Sequence, residues 1–221
     1  MLTLRNVTLL GLDCVDLERL KIARDICIKD IKFGAVKLLT SIESNDEDVV
    51  KIDRIGSIEA YSEFMLKKVN DYVDTEFVLI FQHDGFVLNA RSWNDEFLNY
   101  DYIGAPWWYM DSNNVGNGGF SLRSKKLLTL LQNDAHIETI KDPAEDHVIC
   151  RIYGDYLKEK GVSFAPESLA STFSIEGDVS LPVKYGSIWK DEFGFHDLKN
   201  TDISKWLNQN VEYKDLIKLV N

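Results

Sequence analysis

The sequence predicts an α/β protein in which helices cover both faces of a mostly parallel central sheet. A predicted strand at 7–11, a helix at 17–30 and a strand at 35–40 form a βαβ unit, which requires parallel strands. A continuous apolar run at 77–81 is typical of a strand buried on both faces. With 221 residues, of which 45% are hydrophobic and 28% charged, the chain is predicted to be a single domain with a sizeable core.

The first strand is followed by a polar turn at 11–16, where Asp16 is suited to cap the next helix. That helix has apolar residues at helical spacing, namely Leu17, Leu20, Ile22, Ala23, Ile26 and Cys27. The first strand–helix turn of a parallel α/β fold often contacts the ligand. The turn, with Gly11 at its start, is therefore predicted to contribute to a binding site.

The remaining elements are predicted from the same periodicities. A helix at 58–73 carries large side chains on one face that are predicted to be core, namely Tyr61, Phe64, Met65 and Val69. Ser124 is suited to cap a helix at 125–132. The other predicted elements are short strands at 49–55, 102–105, 120–122 and 162–165, a turn or short helix at 93–100, a helix at 148–160, loops or a short strand at 174–182, and an amphipathic terminal helix at 203–220.

Gln82, His83 and Asp84 follow the apolar run at 77–81 directly. A carboxylate at the carboxyl end of a strand lies where parallel α/β sheets bind ligands. An aspartate before Gly85 is also a common turn residue, so both interpretations are open at this point.

A glycine-rich segment, GNGGFS at 116–121, comes about thirty residues later. Gly118 and Gly119 allow the backbone to approach a ligand, and backbone N–H groups there can meet a phosphate. A tight turn explains the glycines equally well. Between the two segments, Trp107 and Trp108 form an aromatic cluster suited either to stacking on a ring or to a place in the core or its rim.

Two further polar features follow. Glu145 and Asp146 begin a predicted helix, a position where acids are also favoured by the helix dipole alone. His196 precedes a polar turn, where a structural histidine is the common alternative. The order of these features along the chain is more informative than any one of them.

In that order the features resemble the GT-A glycosyltransferases, and most of all a bacterial and viral family described as a domain of unknown function. The matching motifs are Gln82-His83-Asp84, YDYIGAPW at 100–107, GNGGFSLRS at 116–124, Glu145-Asp146 and Gly194-Phe195-His196. The resemblance covers about residues 5–198 and leaves 199–221 as a helical tail. It implies a GT-A-like, Rossmann-type α/β/α sandwich.

The resemblance also implies a role for each matching residue. A divalent metal, Mn²⁺ or Mg²⁺, would be bound by Asp84 and His196, and the donor would be bound by Gly11, Gln82, His83, Asp84, Gly118 and Gly119. Asp146 would be the general base, with Glu145 holding the acceptor or sharing that role. Trp107 and Trp108 would stack on the acceptor or another sugar. Gln82 stands where many relatives have the first Asp of an Asp-x-Asp motif. Because an amide carries no charge, metal dependence is left open.

The function implied is transfer of a sugar from a nucleotide sugar, with UDP-sugars favoured, to a hydroxyl of a glycan or surface-polysaccharide precursor. Such a reaction needs charge neutralisation on the leaving diphosphate, which a divalent metal supplies. It also needs a base for the attacking hydroxyl. One base without an obvious nucleophile predicts an inverting, single-displacement reaction.

Three alternatives are considered. A catalytically degenerate nucleotide-sugar-binding module is favoured by Gln82 but not by the presence of Asp84, Asp146 and His196. A nucleotidyltransferase would need a basic glycine-rich loop near the N-terminus, and residues 11–14 contain no Lys or Arg. A glycosyltransferase acting on modified DNA bases gains no support from a net charge of −11, since nucleic acid binding takes an excess of Lys and Arg.

The three cysteines, Cys14, Cys27 and Cys150, are odd in number and lack metal-site spacing, which predicts reduced, buried thiols in an intracellular protein. The N-terminal apolar run has no basic flank or cleavage-like site, which favours a first strand over a signal peptide. No run reaches the ~18 apolar residues of a membrane span. The sequence thus predicts a cytoplasmic enzyme.

Overall fold

The chain folds around a six-stranded sheet in the order β3-β2-β1-β4-β6-β5. The structure is a computed structural model, and it describes residues 1–111, 113–142, 144–177 and 185–215. Its strands are β1 (Leu2–Leu12), β2 (Ile31–Thr40), β3 (Val49–Lys51), β4 (Phe77–Phe81), β5 (Tyr102–Ile103), β6 (Ser121–Ser124), β7 (Ser174–Glu176) and β8 (Gly194–His196). Its α-helices are α1 (Leu17–Ile28), α2 (Ile58–Lys67), α3 (Lys125–Asn133), α4 (Glu145–His147), α5 (Gly154–Glu159), α6 (Glu167–Phe173) and α7 (Ser204–Gln209).

The predicted mostly parallel sheet is confirmed. Strands β3, β2, β1 and β4 are parallel neighbours, whereas β6 is antiparallel to both β4 and β5. The chain leaves β1 toward β2 on one side, and β4 pairs with β1 on the other side. The strand order therefore reverses between β1 and β4, which is the position where open α/β sheets form a ligand crevice.

Side chains of β4 show why helices pack on both faces of the sheet. Leu79 and Phe81 belong to the core that includes α1, while Val78 and Ile80 belong to the core that includes α2. Successive side chains of a strand point to opposite faces, so a continuous apolar run requires cover on both. The three-layer α/β/α arrangement follows from this run.

Two helices begin where the sequence predicts. The side chain of Asp16 accepts hydrogen bonds from the N–H groups of Glu18 and Arg19 at the start of α1. Ser124 Oγ accepts one from Leu127 N–H, at 3.0 Å, at the start of α3. Each cap satisfies N–H groups that a helix leaves without an internal partner.

Several predicted elements are shorter than expected. The helix predicted at 58–73 ends at Lys67 and continues as the 3₁₀ turn Val69–Tyr72. The helix predicted at 148–160 begins as the π-helical turn Val148–Ile152 before α5. The terminal helix predicted at 203–220 is α7 followed by the 3₁₀ turn Val211–Tyr213, and residues 216–220 lie outside the described residues.

The strand predicted at 162–165 is wrong, because only Phe164 forms a bridge, to Tyr102 of β5. Strand β5 is two residues long, and Pro166 lacks an N–H group, so there is little ladder to extend. The segment predicted as loops or a short strand at 174–182 contains β7, which pairs in parallel with β8; residues 178–182 lie outside the described residues.

All three cysteines are buried and free, as predicted. Within the described ranges, no helix has the length and apolar character needed to cross a membrane.

Candidate active site

A cleft of about 520 Å³ opens at the carboxyl ends of β1 and β4. It is lined by residues 12–15, Arg19, residues 54–58, Tyr61, Gln82, His83, Gly118, Gly119, residues 144–146 and His196. The turn after β1 is shaped by buried Asp13, whose Oδ1 accepts the N–H groups of Val15 and Asp16 at 2.8 and 3.0 Å. The predicted ligand-facing turn after β1 therefore does border a cleft.

The segment after β4 is a tight turn whose side chains are held in place. Gln82 N–H donates to Gly85 O at 2.9 Å, and Gly85 N–H donates back to Gln82 O at 3.2 Å. The Gln82 amide donates through Nε2 to Tyr61 Oη at 3.0 Å, and its Oε1 lies 3.1 Å from His196 Nε2. The turn interpretation of this segment is therefore confirmed, and its role in ligand binding stays a prediction, with Gln82 and His83 in the lining of the cleft.

His196 lies between two acceptor groups. Its Nδ1 is 2.9 Å from Glu176 Oε1, and its Nε2 faces the Gln82 oxygen. Burial alone would lower the pKa of His196, but the hydrogen bond to Glu176 and the charges of Glu176, Asp84 and Asp197 raise it to about 9. Both ring nitrogens lie within hydrogen-bond distance of an acceptor oxygen, an arrangement that suits a protonated imidazole.

Asp84 has a buried oxygen, Oδ1, that accepts no hydrogen bond. This atom lies 3.7 Å from His196 Nε2 and 3.8 Å from His83 Nδ1. Burial lowers the pKa of His83, and the charge of Asp84 opposes that shift.

In the described ranges no group of three or more His, Cys, Asp or Glu side chains could hold a metal ion by itself. The unpartnered oxygen of Asp84 beside His196 nevertheless fits a Mn²⁺ or Mg²⁺ ion that takes its remaining ligands from phosphate oxygens. To act as a ligand, His196 would have to give up the proton on its ligating nitrogen.

The glycine-rich segment forms a turn that closes on other site residues. Asn117 adopts φ 65°, and its Oδ1 accepts the N–H groups of Gly119 and Phe120 at 3.1 and 3.4 Å. A Cβ added at Gly118 would lie 2.2 Å from Glu145 Oε1, and one at Gly119 would lie 2.1 Å from His196 Nε2. Both positions therefore require glycine, because a side chain would displace a neighbouring site residue.

A buried ion pair lies beneath this turn. Glu145 is 3% exposed and accepts a hydrogen bond of 2.8 Å from Nη2 of Arg123, which is fully buried. Arg123 also donates to Gly118 O at 3.3 Å and, through Nε, to Ser121 Oγ at 3.0 Å. Burial raises the pKa of Glu145, and the charge of Arg123 opposes that rise. Glu145 thus holds the glycine turn through Arg123.

Asp146 is fixed by two backbone groups. Its Oδ2 accepts Gly118 N–H at 2.8 Å, and its Oδ1 accepts His147 N–H at 2.7 Å. Asp146 lines the cleft and also lines a second cavity of about 340 Å³, so it lies in the wall between the two. We call the second one the aromatic cavity; it is lined by residues 106–109, Ala144, Asp146, His147, Glu176, Gly177, Asp197 and Asn200.

The family model described as "Protein of unknown function (DUF5672)" matches residues 47–196, well over half of the chain. The chain belongs to the DUF5672 family. No curated protein matches the sequence.

Several solved structures similar to this DUF5672 protein are glycosyltransferases. The galactosyltransferase LgtC, in complex with donor and acceptor sugar analogs, is 11% identical with a TM-score of 0.54, over 96% of this chain and 95% of that one. A glycosyltransferase involved in glycosylation of the major capsid of PBCV-1 is 14% identical with a TM-score of 0.50, over 93% and 98%. GlyE of Streptococcus pneumoniae TIGR4 is 11% identical with a TM-score of 0.50, and the match covers 97% of this chain but 62% of GlyE. The DUF5672 chain therefore has the GT-A fold, as the resemblance implied.

The structure brings most of the predicted site residues together. Gln82, His83, Gly118, Gly119, Glu145, Asp146 and His196 line the cleft, whereas Trp107 and Trp108 line the aromatic cavity. Asp84 is not part of the lining, but its Oδ1 lies 3.8 Å from His83 and 3.7 Å from His196, which both line the cleft. Gly11 is not part of the cleft lining. It lies inside β1, where an added Cβ would be 2.7 Å from the Phe81 ring and 2.8 Å from Leu20, so close packing explains why a glycine stands there.

Three site residues were not identified from the sequence. Tyr61 was assigned to the core by its helical spacing, but it binds Gln82 at the cleft. Arg123 lay inside the GNGGFSLRS motif without a role. Glu176 carried no sequence signal, because its contact with His196 depends on the pairing of two three-residue strands.

Gly119→Ala is expected to displace the His196 ring, to destabilise the protein by about 1–3 kcal/mol and to weaken nucleotide binding. Urea unfolding and nucleotide-induced thermal shift measure the two effects. Gly154→Ala is the matched control, because the nearest atom to an added Cβ there is 3.7 Å away and the residue lies in α5. A Gly119→Ala variant with unchanged stability and binding would show that the His196 ring can move aside at no cost.

Proposed function

We propose that this protein is a glycosyltransferase that binds a nucleotide-sugar donor, with UDP-sugars favoured, in the cleft. The acceptor is a hydroxyl of a glycan or surface-polysaccharide precursor bound in the aromatic cavity. The observation that supports this best is Asp146, a fixed carboxylate that lines both cavities. A hydroxyl in one cavity and an anomeric carbon in the other could meet at this residue.

Asp146 acts as general base and removes the proton of the acceptor hydroxyl as it attacks the anomeric carbon. Its hydrogen bonds to the N–H groups of Gly118 and His147 fix its orientation. A single base between the two cavities favours direct displacement with inversion at the anomeric carbon.

The diphosphate of the donor is expected to lie near the turn after β4. Asp84 and His196 would hold a Mn²⁺ or Mg²⁺ ion there, and such an ion neutralises charge on a leaving nucleoside diphosphate. Arg19 and Arg54 also line the cleft and add positive charge. Gln82 is held by Tyr61 and faces His196, so it orients that imidazole.

A thermal-shift panel of nucleoside diphosphates and nucleotide sugars, with and without Mn²⁺, tests donor binding. A ligand at 100 times its Kd stabilises the folded state by about 2.7 kcal/mol, which corresponds to a Tm rise of about 5–11 °C for a domain of this size. We expect such a rise with one nucleoside diphosphate and a larger one with Mn²⁺. Asp84→Asn is expected to remove the Mn²⁺-dependent part, while Asp142→Asn, an exposed acid outside both cavities, keeps it.

Each other outcome has a defined meaning. No shift with any nucleotide would contradict the proposal. A shift that is independent of metal would remove the metal from it and leave donor binding intact. A shift without release of nucleoside diphosphate in the presence of any acceptor would support the binding-module alternative.

A further inference from the structure

We infer that the aromatic cavity selects a sugar acceptor that carries no acidic group. This inference rests on the proposed function, since it identifies the class of acceptor for the same reaction. It also separates the glycan acceptor from a nucleic acid acceptor, which the sequence alone left open.

One wall of the cavity offers a broad aromatic surface. The rings of Trp108 and Tyr109 are half-buried, with centroids 5.1 Å apart and planes inclined at 33°. The Trp107 ring is 7% exposed, and its centroid lies 6.5 Å from that of Trp108 and 5.9 Å from that of Tyr109. Large, rigid aromatic rings give contact area to a flat ligand at little entropic cost, which suits the apolar face of a sugar ring.

The aromatic wall is supported from behind. The Arg151 guanidinium lies 3.8 Å from the centroid of the Tyr109 ring. Arg151 also binds Asp111 through two hydrogen bonds, of 2.6 and 2.9 Å. This cation is therefore paired outside the cavity, and it does not line it.

The lining of the cavity also carries carboxylates. Asp146, Glu176 and Asp197 line the cavity, and the described residues of the lining include no Lys or Arg. The carboxylate of Glu176 contacts His196 at 2.9 Å. The carboxylates of Asp146 and Asp197 accept backbone and amide N–H groups and have no Lys or Arg side chain as a partner among the described residues.

Carboxylates accept hydrogen bonds and cannot donate them, so these side chains suit hydroxyl or ammonium groups of a sugar. A carboxylate or phosphate on the acceptor would instead face like charges at short range, and such juxtaposition excludes wrong partners. Neutral sugars and amino sugars are therefore accepted, whereas uronic acids, phosphosugars and nucleic acid are rejected.

Saturation-transfer NMR on the full chain, with UDP present as the nucleotide, tests the inference. The probes are methyl glucoside, methyl glucosaminide and methyl glucuronide, which share one ring and differ in charge. We expect the neutral and amino glycosides to bind at least tenfold more tightly than the glucuronide. Trp108→Ala is expected to abolish binding of all three.

Asp197→Asn is expected to reduce the ratio of glucoside affinity to glucuronide affinity by severalfold, because it removes one negative charge from the cavity. Asp197 adopts φ 62°, a conformation that asparagine also tolerates, so this variant should fold. Asp142→Asn is the matched control and should leave the ratio unchanged.

Equal or tighter binding of the glucuronide, or of a short single-stranded oligonucleotide, would overturn the inference. So would the absence of binding by any glycoside, or binding that survives Trp108→Ala. Failure of the proposed function is a separate result, because it would appear as the loss of nucleotide binding to the cleft.

Discussion

Replacing Asp146 with asparagine is expected to lower kcat by about 10²- to 10⁴-fold, the usual contribution of a positioned general base. The amide cannot take the proton of an acceptor hydroxyl at neutral pH. Its one oxygen can accept the Gly118 N–H in place of Oδ2, although the hydrogen bond from His147 N–H is lost, so the glycine turn and the donor cleft should be preserved. Nucleoside diphosphate release in the presence of acceptor measures kcat, and the nucleotide-induced Tm shift measures donor binding.

Asp142→Asn provides the matched control for this variant. It makes the same chemical change four residues away, at an exposed acid that lines neither cavity. Its turnover should stay within about twofold of the parent protein, as expected of a surface substitution. If Asp146→Asn turned over at the same rate as Asp142→Asn, Asp146 would lose its role as base.

Local signals in the sequence were sufficient for much of the fold. The apolar run Phe77–Phe81 has the length of a strand and ends at polar residues, and β4 has the same bounds. Asp16 and Ser124 were identified as caps from residue type and position, because a cap is a local interaction. The order of strand and helix at the N-terminus predicted the parallel part of the sheet for the same reason.

The antiparallel direction of β6 in the sheet could not be predicted from such local signals. It pairs Phe77 with Ser124 and Ile80 with Ser121, residues more than forty positions apart. No residue type in this strand indicates its direction. The β7–β8 pair is similar, since Ser174 pairs with Gly194 and three-residue strands carry little periodicity.

In the candidate site, too, local features could be predicted from the sequence and long-range contacts could not. The glycine segment was interpreted either as a tight turn or as a ligand-facing loop. The turn is confirmed, with Asn117 at its centre, whereas contact of Gly118 and Gly119 with a ligand stays a prediction. Arg123 was missed because a fully buried arginine in a strand is explained only by its partner. That partner, Glu145, is 22 residues away and was predicted to hold the acceptor or to share the role of base.

Arg123→Met is expected to cause the largest loss of stability, about 3–5 kcal/mol, because it leaves a buried carboxylate without its cation. For a domain of this size that loss corresponds to a fall in Tm of about 6–20 °C. Gly118 O and Ser121 Oγ also lose a donor. Urea unfolding compares this variant with Arg91→Met, which changes an exposed arginine and should alter stability by less than about 0.5 kcal/mol.

The loss of stability in Arg123→Met should become larger as the pH rises. Burial already raises the pKa of Glu145, and Arg123 opposes that rise, so removing Arg123 moves the pKa higher still. In the unfolded chain the pKa of a glutamate is about 4.3. Above that pH the unfolded state of the variant binds fewer protons than the folded state, so its stability falls as pH rises toward the raised pKa. Arg123→Met should therefore differ least from the parent protein near pH 4 and most at neutral pH.

A double variant, Arg123→Met with Glu145→Leu, separates the cost of an unpaired charge from the value of the pair itself. Because both charged groups are then replaced by apolar side chains, we expect it to be more stable than Arg123→Met alone at pH 7. The pH dependence attributed to Glu145 should disappear in the double variant. If the double variant were no more stable than Arg123→Met, the unpaired carboxylate of Glu145 would not be the cause of the loss, which would then come from the donors that Arg123 supplies to the glycine turn.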